Sequence, residues 1–451
     1  KLDPADPTKY LTPDGSQPFA TRTEQIKVKG APPVDLTIRS TRHGPVIADP
    51  GGGQVLALSA TWLQGEDRTP QALWDATHAH DWSDFYNAFK NAVAPEQNIG
   101  YADIDGHIGF AAPARIPIRA HGDGTIPEPG WTGEYDWTGT VPFDQLPNGV
   151  DPPSGRFVAA NNKIVPDSYP YLITHDWELP YRAERINELL DATPSLTPDA
   201  AEKMQADVDS IMARKLLPLM LAATPQSPAG QDAMRRLKSW DQLMTRDQVE
   251  PLLFIAWLRE FNRQILADKL GPLFDAYWAL HPDVIENILS NHPDWCDNRE
   301  TPDVETCPQQ LGAALDRAMA ELARRYGDDM NAWRWGVAHP ASFPHPIWSH
   351  LPVIAGWLAL AIPDDGGFDT IDNGTMFVGN DAQPFTAVHG PTLRMIVDMA
   401  APGSARFMIT PGESGNLLSR HYADLLQSWR DVGYVVFGND ASGGVLTLVP
   451  G

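Results

Sequence analysis

Asn98-Ile99-Gly100-Tyr101-Ala102-Asp103, the turn Asp105-Gly106, and His107-Ile108-Gly109-Phe110 read as a β-hairpin. Asp-Gly between two β-prone runs is a strong signal for a tight turn. The same pattern extends towards the N-terminus. Leu36-Thr37-Ile38-Arg39-Ser40-Thr41 alternates and runs into His43-Gly44-Pro45-Val46-Ile47, and Gln54-Val55-Leu56-Ala57-Leu58-Ser59 follows Gly51-Gly52-Gly53. Strands and turns are therefore expected over 1–190. Downstream the period changes. Thr197-Pro198-Asp199 caps a predicted helix in which Met204, Val208, Ile211, Met212 and Leu216 recur at helical spacing, with Pro218 expected to kink or end it. Pro251–Leu270, stopped by Gly271-Pro272, and Gln309–Tyr326, closed by Gly327, are two further predicted helices. Strand and loop character returns over 331–451, in Tyr434-Val435-Val436-Phe437 and Val445-Leu446-Thr447-Leu448. Strands, a helical insertion over 191–330, and strands again predict one discontinuous α+β body.

The 451 residues carry 42% apolar side chains, enough for a large core, with Pro and Gly spread evenly and no repeat. No run approaches the ~18 apolar residues of a membrane span, so no membrane partner is expected. The chain opens on Lys1-Leu2-Asp3-Pro4 in polar loop sequence, which reads as a processed or excised start without a signal peptide. A net charge of −24 argues against nucleic acid as a partner and makes calcium a reasonable one, though solubility alone also accounts for it. Cys296 and Cys307 flank a loop rich in Asp, Glu and Thr. A local disulfide suits them, and with it a periplasmic or secreted location; a pair of unlinked thiols is the alternative.

Several common chemistries are missing from the sequence. There is no Gly-x-Ser-x-Gly elbow, Gly412-Glu413-Ser414-Gly415-Asn416 being a near miss, and no His-Glu-x-x-His, Walker loop or Gly-x-Gly-x-x-Gly. His78-Ala79-His80 would offer two metal ligands from one face of a strand, without a third.

What remains is an ordered set of rigid polar motifs. They are Thr41-Arg42-His43-Gly44-Pro45-Val46; Gly122-Asp123-Gly124, Pro129-Gly130-Trp131-Thr132-Gly133 and Asp136-Trp137; Ala160-Asn161-Asn162; His175-Asp176-Trp177; and Pro180-Tyr181-Arg182-Ala183-Glu184-Arg185-Ile186. Trp333-Arg334-Trp335-Gly336 with His339, Asp364-Asp365-Gly366-Gly367, and Gly412–Asn416 with Ser419-Arg420-His421-Tyr422 complete the set. In this order they resemble the large subunit of penicillin acylases and acyl-homoserine-lactone acylases, which are N-terminal-nucleophile hydrolases.

The resemblance implies a four-layer αββα sandwich, incomplete in this sequence, and an amidase acting on small N-acyl compounds such as penicillins or acyl-homoserine lactones. It also implies self-cleavage of a precursor and a heterodimer with the small subunit. The large subunit's N-terminal Ser is then the nucleophile, and its α-amine, with a pKa of about 8, the base. That Ser is expected upstream of Lys1, leaving this piece alone inactive. Within the chain the resemblance makes Asn161 an oxyanion-hole donor and Arg185 the arginine that holds Asn161 or substrate. An Asn-Asn turn and a surface ion pair with Glu184 or Glu188 are the plainer alternatives, and Arg182, one helical turn away, competes with Arg185. Asp176 and the Gly124 carbonyl fall near the relatives' calcium ligands, Asp398 stands either as an acid supporting the site or as a structural residue at a strand end, and His43 is structural. Trp82 and Phe85 belong to the core by default and to an acyl pocket at most. A calcium-dependent carbohydrate-binding protein or a noncatalytic scaffold also fits the acidic Trp-Gly loops.

Overall fold

The computed structural model describes residues 1–351, 355–437 and 447. The chain divides into two compact units, one of residues 1–159 and 163–177, the other of residues 160–162 and 178–451. The sequence divisions near residues 190 and 330 mark changes of predicted secondary structure; the compact units part elsewhere.

The first unit is built from small antiparallel sheets. Ala20–Ile26, Val34–Thr41, Gly44–Gly51 and Gln54–Ala57 form a four-stranded meander. Its turn at Gly44 has φ +145°, and a Cβ there would lie 2.1 Å from the Leu58 carbonyl oxygen, so glycine is required. The Asp105-Gly106 hairpin forms as predicted. Ile99–Ala102 pairs with Ile108–Ala111, and Asn148–Val150 adds to the other edge. Two short helices, Thr69–Ala76 and Trp82–Ala88, accompany these strands. Trp82 packs against Phe85, Tyr86 and Tyr101 with ring centroids 5.6–6.1 Å apart, an aromatic cluster held by its own edges and faces.

The second unit has a continuous apolar core. Its central helix, Glu250–Leu270, completely buries Leu252, Leu253, Phe254, Ile255, Trp257, Leu258 and Phe261. A helix apolar on every side must be enclosed by others. Ile211–Met220, Pro228–Lys238, Pro282–Asn291 and Cys307–Tyr326 contribute to that core, together with Trp335, Met376, Val378 and Phe385 from beyond the helices. Cys296 and Cys307 are bonded to each other, and Cys307 opens its helix behind a Thr306/Gln309 capping box. The helix predicted from Pro198 is two helices, Pro198–Gln205 and Ile211–Met220. Ser210 interrupts it by accepting the Ala213 N–H as an N-cap, and the second helix runs on past Pro218 to Met220.

After the helices, Leu360–Pro363, Pro340–Phe343, Ala387–His389 and Thr375–Met376 form a mixed sheet in that order, with Pro340–Phe343 and Ala387–His389 parallel. Leu393–Ile396, Arg406–Ile409 and Val435–Val436 make an antiparallel one. Val435–Val436 falls within the predicted last strand pair; of Val445–Leu448 all but Thr447 lies outside the described residues. Mixed helices and sheets make the fold α+β.

Candidate active site

Asn161 sits in the three-residue segment 160–162 that belongs to the second unit. Its backbone has φ +62°, a left-handed conformation that Asn tolerates better than most residues. Two bonds hold the segment: the Glu178 N–H donates to the Asn161 carbonyl at 3.0 Å, and the Ala160 N–H to the Asn162 Oδ1 at 3.0 Å. Arg182 completes the clamp from the first turn of the helix Tyr181–Asp191. Its Nη2 donates to the Ala160 carbonyl and to the Asn161 Oδ1, each at 2.9 Å. A guanidinium has donors only, so it fixes which end of the amide faces it. The Asn161 Nδ2 is thereby turned away, free to donate elsewhere. Burial pulls the Arg182 guanidinium below its usual range, opposed by the charges of Glu178 and Asp369.

Beside Asn161 lies a cleft of about 400 Å³. Its lining includes the polar Glu178, Arg182, Asn373, Thr375 and His389 and the apolar Trp278, Phe368, Met376 and Val378. An amide N–H at the edge of a partly apolar cleft is well suited to an oxyanion, because it stabilises negative charge without titrating.

The arginine in contact with Asn161 is Arg182; Arg185 has other partners. Arg185 binds Asp207 in bidentate fashion at 2.7 and 2.8 Å, and Glu188 at 3.0 Å. Arg214 shares Glu188 and also bonds Asp209. The Asp207 bonds push the Arg185 guanidinium further up. One helical turn thus separates an arginine lining the cleft from one tying its helix to the link between Pro198–Gln205 and Ile211–Met220, and sequence spacing cannot tell which is which.

The other predicted residues have partners of their own. Asp398 accepts the Ala400 N–H at 3.0 Å and turns the chain after Leu393–Ile396. Asp176 and Gly124 belong to the first unit, where the ion pair His175–Asp123, 3.2 Å long, joins their neighbours. Gly124 faces the Arg119 guanidinium, and among the described residues no three of His, Cys, Asp and Glu gather where a metal ion would sit. Those two residues alone do not make the six to eight oxygens calcium takes. His43 is structural in its contacts: its Nε2 meets Asp136 Oδ1 at 2.8 Å, and Arg42 clamps the same carboxylate at 2.6 and 2.8 Å while also donating to Gly130 O. The Arg42 bonds hold the Asp136 carboxyl below its usual range. His78 and His80 occupy the turn between two short helices, where a strand was expected, and bond Trp74 O and Asp84. Ser414 accepts the Asn416 N–H in a loop.

The second unit also buries acids to which the sequence assigned no role. Asp372 pairs with Arg394 at 2.6 Å, both nearly sealed from solvent. Asp364 is pushed up to about 7, by burial first and then by Asp372 and Asp365. Asp369, bonded to Ser210 at 2.7 Å, is pushed up to about 6 by burial.

Fold and site together are those of an α+β protein with an amide donor set at a cleft. The penicillin amidase family model matches residues 1–441, and the chain belongs to that family. It is 30% identical over 482 residues to acyl-homoserine lactone acylase QuiP of Pseudomonas putida, covering 98% of this chain and 57% of that protein. It is 29% identical over 441 residues to penicillin acylase 2 proenzyme of a Pseudomonas species, covering 93% and 54%. A thermostable penicillin G acylase from Alcaligenes faecalis superposes with a TM-score of 0.76 at 22% identity, covering 100% of this chain and 85% of that one. The chain spans about half the length of the curated relatives it matches.

Proposed function

We propose that the protein is an acylase that hydrolyses the linear amide of N-acyl compounds such as penicillins or acyl-homoserine lactones, Asn161 being its oxyanion donor. The observation that carries this reading is the Arg182 clamp, which presents the Asn161 Nδ2 rather than its oxygen to the surroundings. The nucleophile is an N-terminal Ser with its own α-amine as base, in the half of the relatives' length that this sequence does not span. Attack on the acyl carbon puts negative charge on the carbonyl oxygen, and the Asn161 N–H meets it there. Arg182 acts through Asn161 as a positioning residue.

The same reading includes a four-layer αββα sandwich completed by the rest of the precursor, self-cleavage, pairing with a small subunit, and an oxidising, periplasmic or secreted setting that suits the Cys296–Cys307 bond. A structural calcium ion near Asp176 and Gly124 belongs to it only with oxygens supplied from outside this sequence.

The test is steady-state hydrolysis of aryl-acetyl amides and acyl-homoserine lactones by the complete assembled protein. Asn161→Ala is expected to lower kcat by about 10²–10³-fold with the fold intact. Undiminished rates in that variant would remove the assignment.

A further inference from the structure

The first unit holds a cavity of about 480 Å³, within the size range of sites for small organic molecules. Leu56 and Leu58 line one part of it, and the rings of Trp131, Tyr135 and Trp137 another. His43 and Asp136 also reach its lining, but they are bonded to each other, and Arg42 holds the same carboxylate. Arg119 and Glu128 stand differently. Both are half-buried, and among the described residues neither side chain has a hydrogen bond or an ion pair, with the other or with any third group.

The local fold sets Arg119 in place. Pro117–Arg119 pairs antiparallel with Trp137–Thr140, and Arg119 stands directly opposite Trp137. Opposite residues in such a ladder project to one face, about 5 Å apart, so guanidinium and indole lie side by side. A bulge between Ile118 and Arg119 bends the strand at this point. Gly124 closes over the guanidinium at φ +85°, where a Cβ would lie 2.9 Å from Arg119 Nη2. The acids nearby in sequence are already engaged: Asp136 with Arg42 and His43, Asp123 with Thr125 and His175. A guanidinium has donors only. Half withdrawn from water and given no acceptor, Arg119 has lost hydration that a ligand carboxylate would restore. Glu128 presents the converse case, a carboxylate without a cation.

We propose that this cavity binds a free amino acid with an aromatic or large apolar side chain. Arg119 takes its carboxylate, Glu128 its ammonium, and the rings of Trp131, Tyr135 and Trp137 its side chain. Charge matching selects this class. A simple carboxylate meets Arg119 but faces Glu128 uncompensated, a simple amine leaves Arg119 without an acceptor, and a neutral molecule satisfies neither. An aromatic side chain brings large contact area with few rotatable bonds, so it loses little freedom against the three rings. Every lining residue belongs to the first unit, so the site stands whether or not Asn161 serves an acylase.

The test is calorimetric titration of the complete assembled protein near neutral pH with four probes. They are phenylalanine; hydrocinnamate, which lacks its amine; phenethylamine, which lacks its carboxylate; and glycine, which lacks its ring. Phenylalanine is expected to bind tightest, with glycine about tenfold weaker or more. Arg119→Gln should weaken phenylalanine and hydrocinnamate about tenfold, the range of one hydrogen bond to a charged group, and should not weaken phenethylamine. Glu128→Gln should do the reverse, weakening phenylalanine and phenethylamine but not hydrocinnamate. The two variants act on different probes, so either one decides if the other does not fold. Absence of saturable binding by phenylalanine overturns the proposal. So does glycine binding as tightly as phenylalanine, or a variant that shifts the charged probes all alike or not at all.

Discussion

The two units of the chain use the same charged pairs under opposite conditions. In the first, Arg42, His43 and Asp136 are each a quarter to a third exposed and hold loop to loop at the surface. In the second, Arg394–Asp372 is sealed inside on both sides, and Arg259 is buried while its acids Glu321 and Asp381 reach solvent. A wet pair gains little net free energy and mainly fixes geometry. A dry pair has lost its water on both sides, so removing one partner leaves a charge with no compensation. The first unit is thus a set of small sheets fastened by polar clips. The second is an apolar core into which charge has been admitted at a few points.

Three substitutions test that contrast. Trp257→Ala has the largest expected effect. The indole is wholly buried and donates to the Leu311 carbonyl at 2.8 Å, so its loss opens a cavity and strips a buried acceptor. Chemical denaturation should show about 3–5 kcal/mol less stability.

Asp364→Asn comes next and depends on pH. The folded carboxyl is raised to about 7 from 3.8, facing Asp372 and Asp365 with Arg394 opposing them. A carboxyl raised on folding favours the folded state while both forms are protonated or only the folded one is. Stability is therefore lost as pH climbs from about 4 to about 7, by at most about 4 kcal/mol. The Asn variant lacks this loss. Melts at pH 4.5 and pH 8 should show the variant gaining on wild type at the higher pH. A difference that does not change with pH would contradict the buried-acid picture.

Arg42→Ala should cost the least, about 1 kcal/mol or less, because its pair with Asp136 is wet. Its loss should weaken further as salt rises. A cost as large as that of Trp257→Ala would erase the distinction between the units.

Much of the fold was legible where local chemistry and tertiary packing agree. The Asp105-Gly106 hairpin and the helices Glu250–Leu270 and Cys307–Tyr326 appear as read, within two residues at their starts. Pattern reading failed where a local cap competes with periodicity. Val208 and Ile211 continue the apolar spacing, yet Ser210 starts a new helix between them. Asn161 was singled out by its motif, but Arg182 could not be separated from Arg185, since both lie on one helix and only the surroundings tell them apart. Trp278 carried no signal at all: it becomes a cleft wall through Gly379 and two arginines contributed by other segments. Asp364 stood in a quoted motif and Asp372 in none, and for neither was burial legible, because sequence gives charge but not burial.

Arg259 has a consequence for how this cleft changes over evolutionary time. Its guanidinium spans the central helix, the Trp278 wall and the Val378 wall. Mutations that resize the cleft must keep this shared post or replace all of its contacts at once. On the proposed acylase reading, new substrate preferences are therefore reached more readily through exposed lining residues such as Glu178 than through the buried ones, and variants that alter the buried lining should carry their gain and their loss of robustness as one inherited package.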